Sequence, residues 1–446
     1  MIKRVAVLGS GTMGSQIAAL MAENGIHCDL LDLKHDTDPN FFAKSAVAKL
    51  QTLKPKPVSD YKVLSLIEPG NFEDDLSRLA HSEWVIEAVS EDIDIKQNIW
   101  TLAAEYINPN TIISTNTSGI PISDISKALP QRIRPQFLGS HFCNPPKYLP
   151  LLELITTGET DSKFALKVSN IASNVLKRGV VVAKDVPNFI ANTIGAYALM
   201  TILHAATEFN LGPDEVDDLT GLTMGRPVSA TFRTLDVVGI DIFLAVINNS
   251  LKNTTSEHQR NVLTPPEYLH KMIDRGWTGQ KSGQGFYKRV ETAKGREILV
   301  LDLNTLEYRH RKSYKNENAM LGDTFEKRIE NLFSSNNFSN QFIWRILSQM
   351  LIFSAEQVGY ISNDLVSIDR AMRWGYAWEL GPFETWDILG LKTSLSKMNL
   401  NSIEIPDWIN SLSIEDKPFY IQRASGKFQA STEGNYIPTL PASIRE

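Results

Sequence analysis

The sequence predicts an α/β domain with a mainly parallel sheet, followed by an all-helical region. Up to about residue 184, short apolar runs alternate with longer amphipathic segments, and beyond that point the apolar residues recur with a helical period. The composition is that of a globular protein, with 446 residues of which 42% are hydrophobic. A chain of this length is long enough for about three domains.

The short apolar runs of the first region have the length and composition of buried strands. They are Val5–Leu8, Cys28–Leu33, Trp84–Val89, Thr111–Thr115, Gln136–Phe142 and Val180–Ala183. After Lys184-Asp185-Val186-Pro187 the pattern changes to segments with a 3.6-residue period, such as Phe189–Phe209 and Pro213–Thr220. We therefore predict one domain over residues 1–184 and a first helical domain over residues 185–290.

The second half of the chain contains a polar stretch and an internal repeat. Residues 291–335 are predicted to form a linker with a short hairpin, Ile298–Tyr308, because the composition turns polar there. Beyond them, Phe383–Gly390 repeats the pattern F-x-T-x-D-x-x-G of Phe232–Gly239. This repeat predicts duplicated all-helical domains, with residues 336–446 forming the second copy and a tail over Pro438–Glu446.

Charge, cysteine content and hydropathy restrict the classes of function. The formal net charge is −6, from 45 Lys and Arg against 51 Asp and Glu, and no basic run contains interleaved aromatics, so we expect no nucleic-acid partner. Cys28 and Cys143 are too few for a disulfide framework or a zinc site, and no other spacing indicates a metal. The first apolar run, Val5–Gly9, is too short for a signal peptide, and no run reaches the roughly 18 residues of a membrane helix. We therefore expect a cytoplasmic protein that does not bind membranes.

A glycine-rich loop of the form G-x-G-x-x-G lies between the first predicted strand and the helical pattern Ser15–Asn24. Glycines let the backbone turn tightly and approach a pyrophosphate, whose charge then lies at a helix N-terminus. A Rossmann-type dinucleotide site is therefore predicted, with FAD and a glycine loop without a ligand as alternatives. The predicted cofactor contacts in the loop are Gly9, Gly11, Thr12, Met13 and Gly14.

Asp32 lies near the end of the second predicted strand, 18 residues after Gly14. A carboxylate at this place accepts hydrogen bonds from the adenosine ribose hydroxyls and repels a 2′-phosphate. The sequence therefore favours NAD over NADP as the cofactor. The alternative is an aspartate that only ends a strand.

A histidine and a glutamate in apolar runs are candidates for acid–base chemistry. His141 ends the run Phe137–Phe142, and imidazole, with an ordinary pKa of about 6.5, is a suitable base for an alcohol proton. Glu153 lies in the apolar run Leu151–Ile155, where a carboxylate needs a partner. An imidazole N–H is such a partner, and the turn after Asn144-Pro145-Pro146 is long enough to bring the two together.

These residues, with several further stretches, resemble the 3-hydroxyacyl-CoA dehydrogenases of fatty-acid β-oxidation. The matching stretches are G-S-G-T-M-G at 9–14, E-A-V-S-E-D at 87–92 with Lys96, T-N-T-S-G-I at 115–120, H-F-C-N-P-P at 141–146, L-L-E-L-I at 151–155, V-P-N-F-I-A-N at 186–192 and K-S-G-Q-G-F-Y at 281–287. They cover essentially the first 290 residues. The stretch from Gly225 to Gly239 and the second repeat look like the dehydrogenase portion of a bacterial bifunctional β-oxidation protein.

The resemblance implies roles for four residues near the reacting atoms. His141 matches the general base of the family, and Glu153 matches the carboxylate that orients it. Ser118 matches a serine near the substrate oxygen and the nicotinamide, and Asn192 matches an amide that holds the substrate carbonyl or hydroxyl. For Ser118 and Asn192 the alternative is a turn or cap residue.

The resemblance also implies contacts to the nicotinamide half of NAD. The matching positions are Glu91, Lys96, Asn144 and Lys281. The alternative for Glu91 and Lys96 is a helix-start carboxylate and a solvated lysine. Two departures from the family pattern are Cys143, where an aromatic residue is expected, and Thr193, where a basic residue is expected. Neither departure removes a reacting group.

At the CoA end, the amphipathic stretch Phe41–Lys54 resembles the helical projection of the family beside the acyl-CoA channel. Lys49 and Lys54 are its candidate contacts to CoA phosphates, and a solvated face is the alternative. The second repeat has no counterpart to V-P-N-F-I-A-N, so no second active site is expected there. Since single-domain relatives pair these helical domains across a dimer, we expect a monomer or a weak dimer.

The sequence thus predicts NAD-dependent oxidation of an L-3-hydroxyacyl-CoA to a 3-ketoacyl-CoA, with other β-oxidation enzymes as candidate partners. A dehydrogenase of a small free hydroxy acid is the alternative enzyme. A non-catalytic NAD-binding scaffold is the alternative from another class, and the presence of His141, Glu153, Ser118 and Asn192 disfavours it. The sequence does not determine the preferred acyl chain length.

Overall fold

Two structural units make up the chain. The first comprises Met1–Phe189 and Leu440–Glu446, and the second comprises Ile190–Thr439. The computed structural model describes residues 2–292, 295–312, 322–400, 403–439 and 441–444, and for Asn399 it describes the backbone alone. The division between Phe189 and Ile190 lies five residues after the predicted boundary. The finer division into four segments stays a prediction.

An eight-stranded sheet is the centre of the first unit. Its strands are β1 (Arg4–Leu8), β2 (His27–Asp32), β3 (Ile67–Asn71), β4 (Trp84–Glu87), β5 (Ile112–Thr115), β6 (Phe137–Phe142), β7 (Leu151–Thr156) and β8 (Gly179–Ala183). The strand order is β3-β2-β1-β4-β5-β6-β7-β8, and only β6 and β7 pair antiparallel. The predicted α/β domain with a mainly parallel sheet is confirmed.

The inner strands are apolar because helices cover both faces of such a sheet. The helices of the first unit are α1 (Thr12–Glu23), α2 (Phe41–Leu50), α3 (Ile93–Ala103), α4 (Ile122–Ser126) and α5 (Ser162–Asn170). Asp92 caps α3 by accepting hydrogen bonds from the backbone N–H groups of Asp94 and Ile95. Strand β3 was not predicted, because it contains Pro69 and Gly70; it tolerates them at the edge of the sheet.

Helices dominate the second unit. They are α6 (Ala191–Glu208), α7 (Pro213–Thr220), α8 (Phe232–Val238), α9 (Ile240–Asn253), α10 (Glu257–Leu263), α11 (Glu267–Asp274), α12 (Phe325–Glu330), α13 (Phe338–Gln357), α14 (Leu365–Gly375), α15 (Pro382–Leu389), α16 (Leu391–Leu400) and α17 (Asp407–Ile414). The two long helices α6 and α13 pack together, with the rings of Tyr197 and Phe353 stacked at 3.7 Å between centroids. The helical region that the sequence predicts is therefore confirmed.

Two small antiparallel sheets complete the second unit. The first consists of β9 (Tyr287–Thr292), β10 (Gly295–Leu301) and β11 (Tyr308–His310), and the second of β12 (Tyr420–Arg423), β13 (Gly426–Ala430) and β14 (Tyr436–Pro438). The predicted hairpin Ile298–Tyr308 corresponds to the β10–β11 pair, while the pairing of β9 and the whole second sheet were not predicted. Part of the predicted linker, residues 313–321, lies outside the described residues.

The predicted tail differs from its expected place. Residues 441–444 group with the first unit instead of the second repeat. There the Ser443 hydroxyl accepts a hydrogen bond of 2.6 Å from the backbone N–H of Val180, on the edge strand β8. An edge strand presents unpaired backbone groups, so a returning segment can satisfy one of them.

Matching hydrogen-bond networks occur at two places in the second unit. In the earlier one, Asp236 accepts hydrogen bonds from the backbone N–H groups of Phe286 and Tyr287, each at 2.8 Å. The Tyr287 hydroxyl then donates to Asp217 at 2.7 Å. Asp217 also accepts from the backbone N–H of Phe232 at 2.7 Å, so it ties α7 to the start of α8.

The later network has the same bonds made by other residues. Asp387 accepts from the backbone N–H groups of Phe419 and Tyr420, at 2.7 and 2.9 Å. The Tyr420 hydroxyl donates to Asp369 at 2.7 Å, and Asp369 accepts from the backbone N–H of Phe383 at 2.9 Å. In both networks an aspartate holds the start of a sheet and a tyrosine links it to a second aspartate.

Within the described parts of the chain, no single helix has both the length and the hydropathy to cross a membrane. The bent pair α8 and α9 meets these criteria when its two helices are taken together, with an angle of 94° between them.

Candidate active site

The glycine loop turns the chain from β1 into α1 at the carboxyl edge of the sheet. Gly9 has a φ of +100°, and a Cβ there would lie 2.7 Å from the carbonyl oxygen of Ala88. A Cβ on Gly14 would lie 1.8 Å from the carbonyl oxygen of Gly9, whereas one on Gly11 would meet no atom within 4 Å. The first and third glycines are therefore required by packing, and the second leaves open space at the start of α1.

That open space fits a pyrophosphate. Helix α1 begins after Gly11, which has no side chain to cap the first turn, and Thr12 and Met13 form that turn. The free N–H groups of a helix start are donors for phosphate oxygens. The loop therefore has the steric and electrostatic features that a dinucleotide needs.

Asp32 ends β2 beside this loop. Its Oδ2 atom accepts a hydrogen bond of 2.6 Å from the backbone N–H of Ser10, and the Ser10 hydroxyl donates to the same oxygen. Its Oδ1 atom accepts from the backbone N–H of Leu33 at 2.7 Å. These bonds fix a carboxylate next to the glycine loop, where a ribose hydroxyl can reach it. Ser10, which sequence reasoning did not single out, is the residue that orients Asp32.

His141 and Glu153 face each other across β6 and β7. The two strands are antiparallel neighbours, and their register places these residues directly opposite. The His141 Nδ1 atom lies 2.6 Å from Glu153 Oε2, and the two residues are only 4% and 0% exposed. Since an ionised carboxylate only accepts, Nδ1 carries the proton and Nε2 holds the lone pair. The pairing proposed from the sequence is present.

The surroundings of the imidazole are apolar on one side. The Phe189 ring lies 5.9 Å from the His141 ring, measured between centroids. Cys143, which replaces the expected aromatic residue, is half-buried, and burial raises the pKa of its thiol, with the charge of Glu153 acting in the same direction.

Glu91 organises the turn that carries Ser118. Its Oε1 atom accepts hydrogen bonds from the Thr117 hydroxyl at 2.6 Å and from the backbone N–H groups of Ser118 and Gly119 at 2.8 and 3.1 Å. The other oxygen of Glu91 lies 3.3 Å from the Lys96 Nζ atom. Glu91 is thus more than a carboxylate at a helix start, because it fixes the Ser118 turn.

Lys96 is buried, contrary to the alternative of a solvated lysine. Its side chain is 1% exposed, and its ammonium lies 2.8 Å from the Oε1 atom of Glu87, a fully buried carboxylate. Sequence reasoning gave Glu87 no role. The signal was the same as for Glu153, a glutamate in an otherwise apolar strand.

Asn144 lies at the start of the β6–β7 connection and is exposed. Its Oδ1 atom accepts a hydrogen bond of 3.1 Å from the side chain of Gln16, on α1. The loop after His141 is therefore tied to the helix that follows the glycine loop. Gln16 is a further residue that sequence reasoning missed, since a glutamine on a helix gives no distinctive signal.

The remaining predicted residues belong to other segments of the chain. Asn192 is in the first turn of α6, and Lys281 lies in a short turn with its ammonium 2.6 Å from Asp241, both within the second unit. Lys49 is exposed in the last turn of α2. Lys54 is exposed and lies beyond the helix, which ends at Leu50. Lys54 directly precedes Pro55, and the residue before a proline disfavours helical conformation.

These features share one edge of the sheet. Strands β1, β4, β5 and β6 are parallel, so the glycine loop and the Ser118 turn follow the carboxyl ends of strands, and His141 lies near the carboxyl end of β6. Ligands of open α/β sheets bind at this edge. A Rossmann-type domain that joins a dinucleotide loop to a buried histidine–carboxylate pair has the features of the NAD-dependent dehydrogenases as a class.

Comparison with known proteins identifies the family. The family model described as "3-hydroxyacyl-CoA dehydrogenase, NAD binding domain" matches residues 4–186, and the one described as "3-hydroxyacyl-CoA dehydrogenase, C-terminal domain" matches residues 189–289. A Deinococcus radiodurans protein named "Probable 3-hydroxyacyl-CoA dehydrogenase" is 41% identical over 297 residues, which are 66% of this chain and 85% of that protein. The chain belongs to the 3-hydroxyacyl-CoA dehydrogenase family.

Two other relatives extend over both structural units. A Bacillus subtilis protein, also named "Probable 3-hydroxyacyl-CoA dehydrogenase", is 40% identical over 441 residues, covering 94% of this chain but only 55% of its own length. The chain therefore spans about half the length of this relative. A crystal structure of 3-hydroxybutyryl-CoA dehydrogenase from Escherichia coli has a TM-score of 0.69 and 20% identity, over 93% of this chain and 99% of that one. This likeness concerns the fold alone.

Proposed function

We propose that the chain is an NAD-dependent dehydrogenase that oxidises an L-3-hydroxyacyl-CoA to the corresponding 3-ketoacyl-CoA. The observation that carries this proposal is the buried pair of His141 and Glu153, joined at 2.6 Å at the edge of the sheet that also bears the glycine loop. An alcohol oxidation needs a base for the hydroxyl proton and an acceptor for the hydride. The pair supplies the first, and bound NAD supplies the second.

Proton transfer is the part of the reaction that His141 performs. Its Nε2 atom takes the proton of the substrate hydroxyl, and the ring becomes an imidazolium. The Glu153 carboxylate, 2.6 Å from Nδ1, stabilises that positive charge and fixes the ring orientation. Because both groups are buried, their interaction is screened little by water.

Ser118 and Asn192 orient the substrate oxygen in this proposal. Support for Ser118 comes from the bond of 2.8 Å between its backbone N–H and Glu91, which holds the turn at the carboxyl edge. The role of Asn192 rests on its match to the family motif. Fixed donors near C3 place the alcohol for hydride transfer, which lowers the entropic part of the barrier.

Glu91, Lys96, Asn144 and Lys281 are proposed to serve the nicotinamide half of NAD. The glycine loop is proposed to hold the pyrophosphate, and Asp32 to accept hydrogen bonds from the adenosine ribose. The negative charge of Asp32 repels a 2′-phosphate, so NADH is expected to bind more tightly than NADPH. Calorimetric titration with both cofactors tests this preference, and equal affinity would contradict the role given to Asp32.

For the CoA end, Lys49 and Lys54 are proposed contacts to phosphate. Both are exposed, as a contact to a large soluble substrate requires. A dehydrogenase of a small free hydroxy acid is the second candidate, and dependence of turnover on the CoA moiety separates the two.

Duplication of the helical domain is part of the proposal. It is supported by the repeated F-x-T-x-D-x-x-G pattern and by the two matching Asp–Tyr–Asp networks, in which Asp236 corresponds to Asp387 and Tyr287 to Tyr420. The second copy is proposed to supply the support that relatives with one helical domain obtain from a dimer partner. A monomer or weak dimer follows, and a tight dimer in light scattering at low concentration would contradict it.

The cellular setting is proposed to be the cytoplasm, on the basis of the two free thiols, Cys28 and Cys143. Other β-oxidation enzymes are proposed as partners, since the family resemblance extends to bifunctional β-oxidation proteins. A pull-down with the chain as bait tests these partners.

The proposed reaction is tested by following NADH oxidation with acetoacetyl-CoA and with free acetoacetate. We expect turnover of the CoA ester alone, and a loss of about 10²–10⁴-fold in His141→Gln with NADH binding kept. His81→Gln, which changes an exposed histidine of the same unit, is the matched control and should keep full turnover. Turnover of acetoacetate would favour the free hydroxy acid, and unchanged turnover in His141→Gln would exclude His141 as the base.

A further inference from the structure

Glu87 is a buried carboxylate for which the proposed reaction has no direct use. It is the last residue of β4 and is 0% exposed. Its Oε1 atom accepts hydrogen bonds of 2.8 Å from the Lys96 ammonium and of 2.8 Å from the backbone N–H of Val89. Its Oε2 atom accepts from the Thr115 hydroxyl at 2.7 Å. Both oxygens are therefore hydrogen-bonded, and these bonds fix the orientation of the carboxylate.

The bonds of Glu87 extend toward the candidate active site through Lys96. The Lys96 ammonium lies 3.3 Å from the carbonyl oxygen of Val89 and 3.3 Å from the Oε2 atom of Glu91. Glu91, in turn, holds the turn that carries Ser118. A continuous path of charged and hydrogen-bonded groups thus runs from Glu87 through Lys96 and Glu91 to Ser118.

Electrostatics make Glu87 the necessary member of this path. A buried ammonium is unfavourable unless a carboxylate pairs with it, and Glu91 is 46% exposed and therefore a weaker partner than Glu87. Burial raises the pKa of the Glu87 carboxyl, and the charge and hydrogen bond of Lys96 act against that rise. The pair keeps Lys96 in one place, so that Lys96 can restrain Glu91.

Glu87 also connects this path to the glycine loop. The residue after it, Ala88, has its carbonyl oxygen 2.7 Å from where a Cβ on Gly9 would lie, and its N–H donates to the carbonyl of Leu8 at 2.7 Å. The backbone of Ala88 and Val89, which Glu87 holds through its bond to the Val89 N–H, therefore forms the surface against which Gly9 packs. This contact is made by the backbone of Ala88, whereas the Glu87 carboxylate itself bonds to Lys96, Thr115 and the backbone N–H of Val89.

We propose that Glu87 is a positioning residue that sets the nicotinamide side of the cofactor site through Lys96 and Glu91. This inference rests on the proposed function, because it takes the Ser118 turn as a part of that site. It assigns Glu87 no contact with substrate or cofactor. The adenosine side of the site, at Asp32 and the glycine loop, is held by other bonds and is predicted to be independent of the charge of Glu87.

The test compares two ligands that differ in the nicotinamide ring. Calorimetric titrations with NADH and with ADP-ribose are made on the wild type, Glu87→Gln and Glu87→Asp. In Glu87→Gln we expect the affinity for NADH to fall about tenfold or more and that for ADP-ribose to change by less than about twofold. Glu87→Asp keeps the charge and should recover part of the NADH affinity.

Asp29→Asn is the matched control, because Asp29 is also a buried carboxylate of this sheet and pairs with Arg4 at 2.7 Å. It should lower stability without changing the ratio of the two affinities. Thr115→Val removes only the hydroxyl that donates to Glu87, so it provides a milder variant if Glu87→Gln does not fold. It should lower the affinity for NADH by about threefold and leave the affinity for ADP-ribose unchanged.

Each outcome has a distinct meaning. A selective loss of NADH affinity in Glu87→Gln or Thr115→Val, with turnover of acetoacetyl-CoA lowered even at saturating NADH, supports the positioning role. Equal losses for both ligands, as in a merely structural role, overturn it, and so does an unchanged ratio. A wild type that binds NADH and turns over substrate, with variants that show no selectivity, contradicts this inference alone. A wild type that binds no NADH contradicts the proposed function as well.

Discussion

Different hydrogen-bond partners surround two carboxylates of the first unit, Glu153 and Glu87, and two of the second unit, Asp236 and Asp387. In the first, Glu153 and Glu87 face an imidazole and an ammonium, at 2.6 and 2.8 Å. In the second, the buried Asp236 and the half-buried Asp387 accept hydrogen bonds of 2.7 to 2.9 Å from backbone N–H groups. The imidazole and the ammonium are side-chain groups that can move or change charge, whereas the N–H groups that bond to Asp236 and Asp387 are fixed parts of the backbone.

This difference separates chemistry from support. A carboxylate paired with an imidazole can respond when the ring gains a proton, and so it can stabilise a charge that develops during a reaction. A carboxylate bonded to two consecutive backbone N–H groups holds a turn in one conformation and has no reacting partner. Substitution of Glu153 should therefore affect turnover, and substitution of Asp236 or Asp387 should affect stability.

The largest effect is expected for Glu153→Gln. A neutral amide can still accept a hydrogen bond from Nδ1 of His141, but it cannot stabilise the imidazolium, so kcat with acetoacetyl-CoA should fall about a hundredfold or more. NADH affinity, measured by calorimetry, should stay within about threefold of the wild type. Full turnover in Glu153→Gln would show that the charge of Glu153 does not contribute to the reaction.

The second prediction concerns Asp236→Asn and Asp387→Asn. Each variant keeps one oxygen but presents an NH₂ group to a backbone N–H, so each should lower the free energy of unfolding by about 2 kcal/mol. The turnover of the folded protein should not change. Denaturant unfolding measures the loss in the free energy of unfolding. A lower kcat with an unchanged free energy of unfolding would show that these aspartates serve the reaction and not the fold.

The two variants also test the proposed duplication. If Asp236 and Asp387 hold equivalent turns, the two losses should agree within about 1 kcal/mol. The double variant should lose their sum, because the two aspartates share none of these hydrogen-bond partners. A loss in only one of the two would show that the matching bonds do not support the fold equally.

The stability that Asp236 and Asp387 contribute should depend on pH. Burial raises the pKa of Asp236 and of Asp387 to about 6, above their values in the unfolded chain. The folded form therefore binds these protons more tightly, and the stability they contribute is fully present below pH 4 and is lost as the pH rises through 6. Between pH 7 and pH 5 each carboxyl should add about 1 kcal/mol to the free energy of unfolding. The corresponding Asn variant should lack this increment, and an identical pH profile in wild type and variant would contradict the raised pKa.

The sheet and its glycine loop could be predicted from the sequence because their signals are local. Apolar runs such as Val5–Leu8 and the turn at Gly9 depend on neighbours in the chain. Strand β3 could not, since Pro69 and Gly70 disfavour a strand and only its edge position permits them. The second small sheet was missed for a similar reason, because its strands are short and half-exposed.

The candidate site could be predicted from the sequence where a side chain is energetically unfavourable in its local surroundings. Glu153 stood out as a carboxylate in an apolar strand, and its histidine partner followed from chemistry. Glu87 carries the same signal, a carboxylate in an apolar strand. Its partner Lys96 could not be predicted, because nothing in the sequence distinguishes it from an exposed lysine of an amphipathic helix. Ser10 and Gln16 gave no signal at all, because their contacts with Asp32 and Asn144 join residues far apart in the chain.

The smallest effect on stability is expected at an exposed pair in the second unit. Lys281 and Asp241 lie 2.6 Å apart with side chains 49% and 43% exposed, so water screens their attraction. Lys281→Met should therefore change the free energy of unfolding by less than about 0.5 kcal/mol. If Lys281 serves the nicotinamide half of NAD, the affinity of Lys281→Met for NADH should fall about threefold or more, while its affinity for ADP-ribose should not change. Asp241→Asn is the control, since it breaks the same pair but leaves the ammonium in place. An equal loss of NADH affinity in both variants would assign the effect to the Lys281–Asp241 pair and not to a contact of Lys281 with the cofactor.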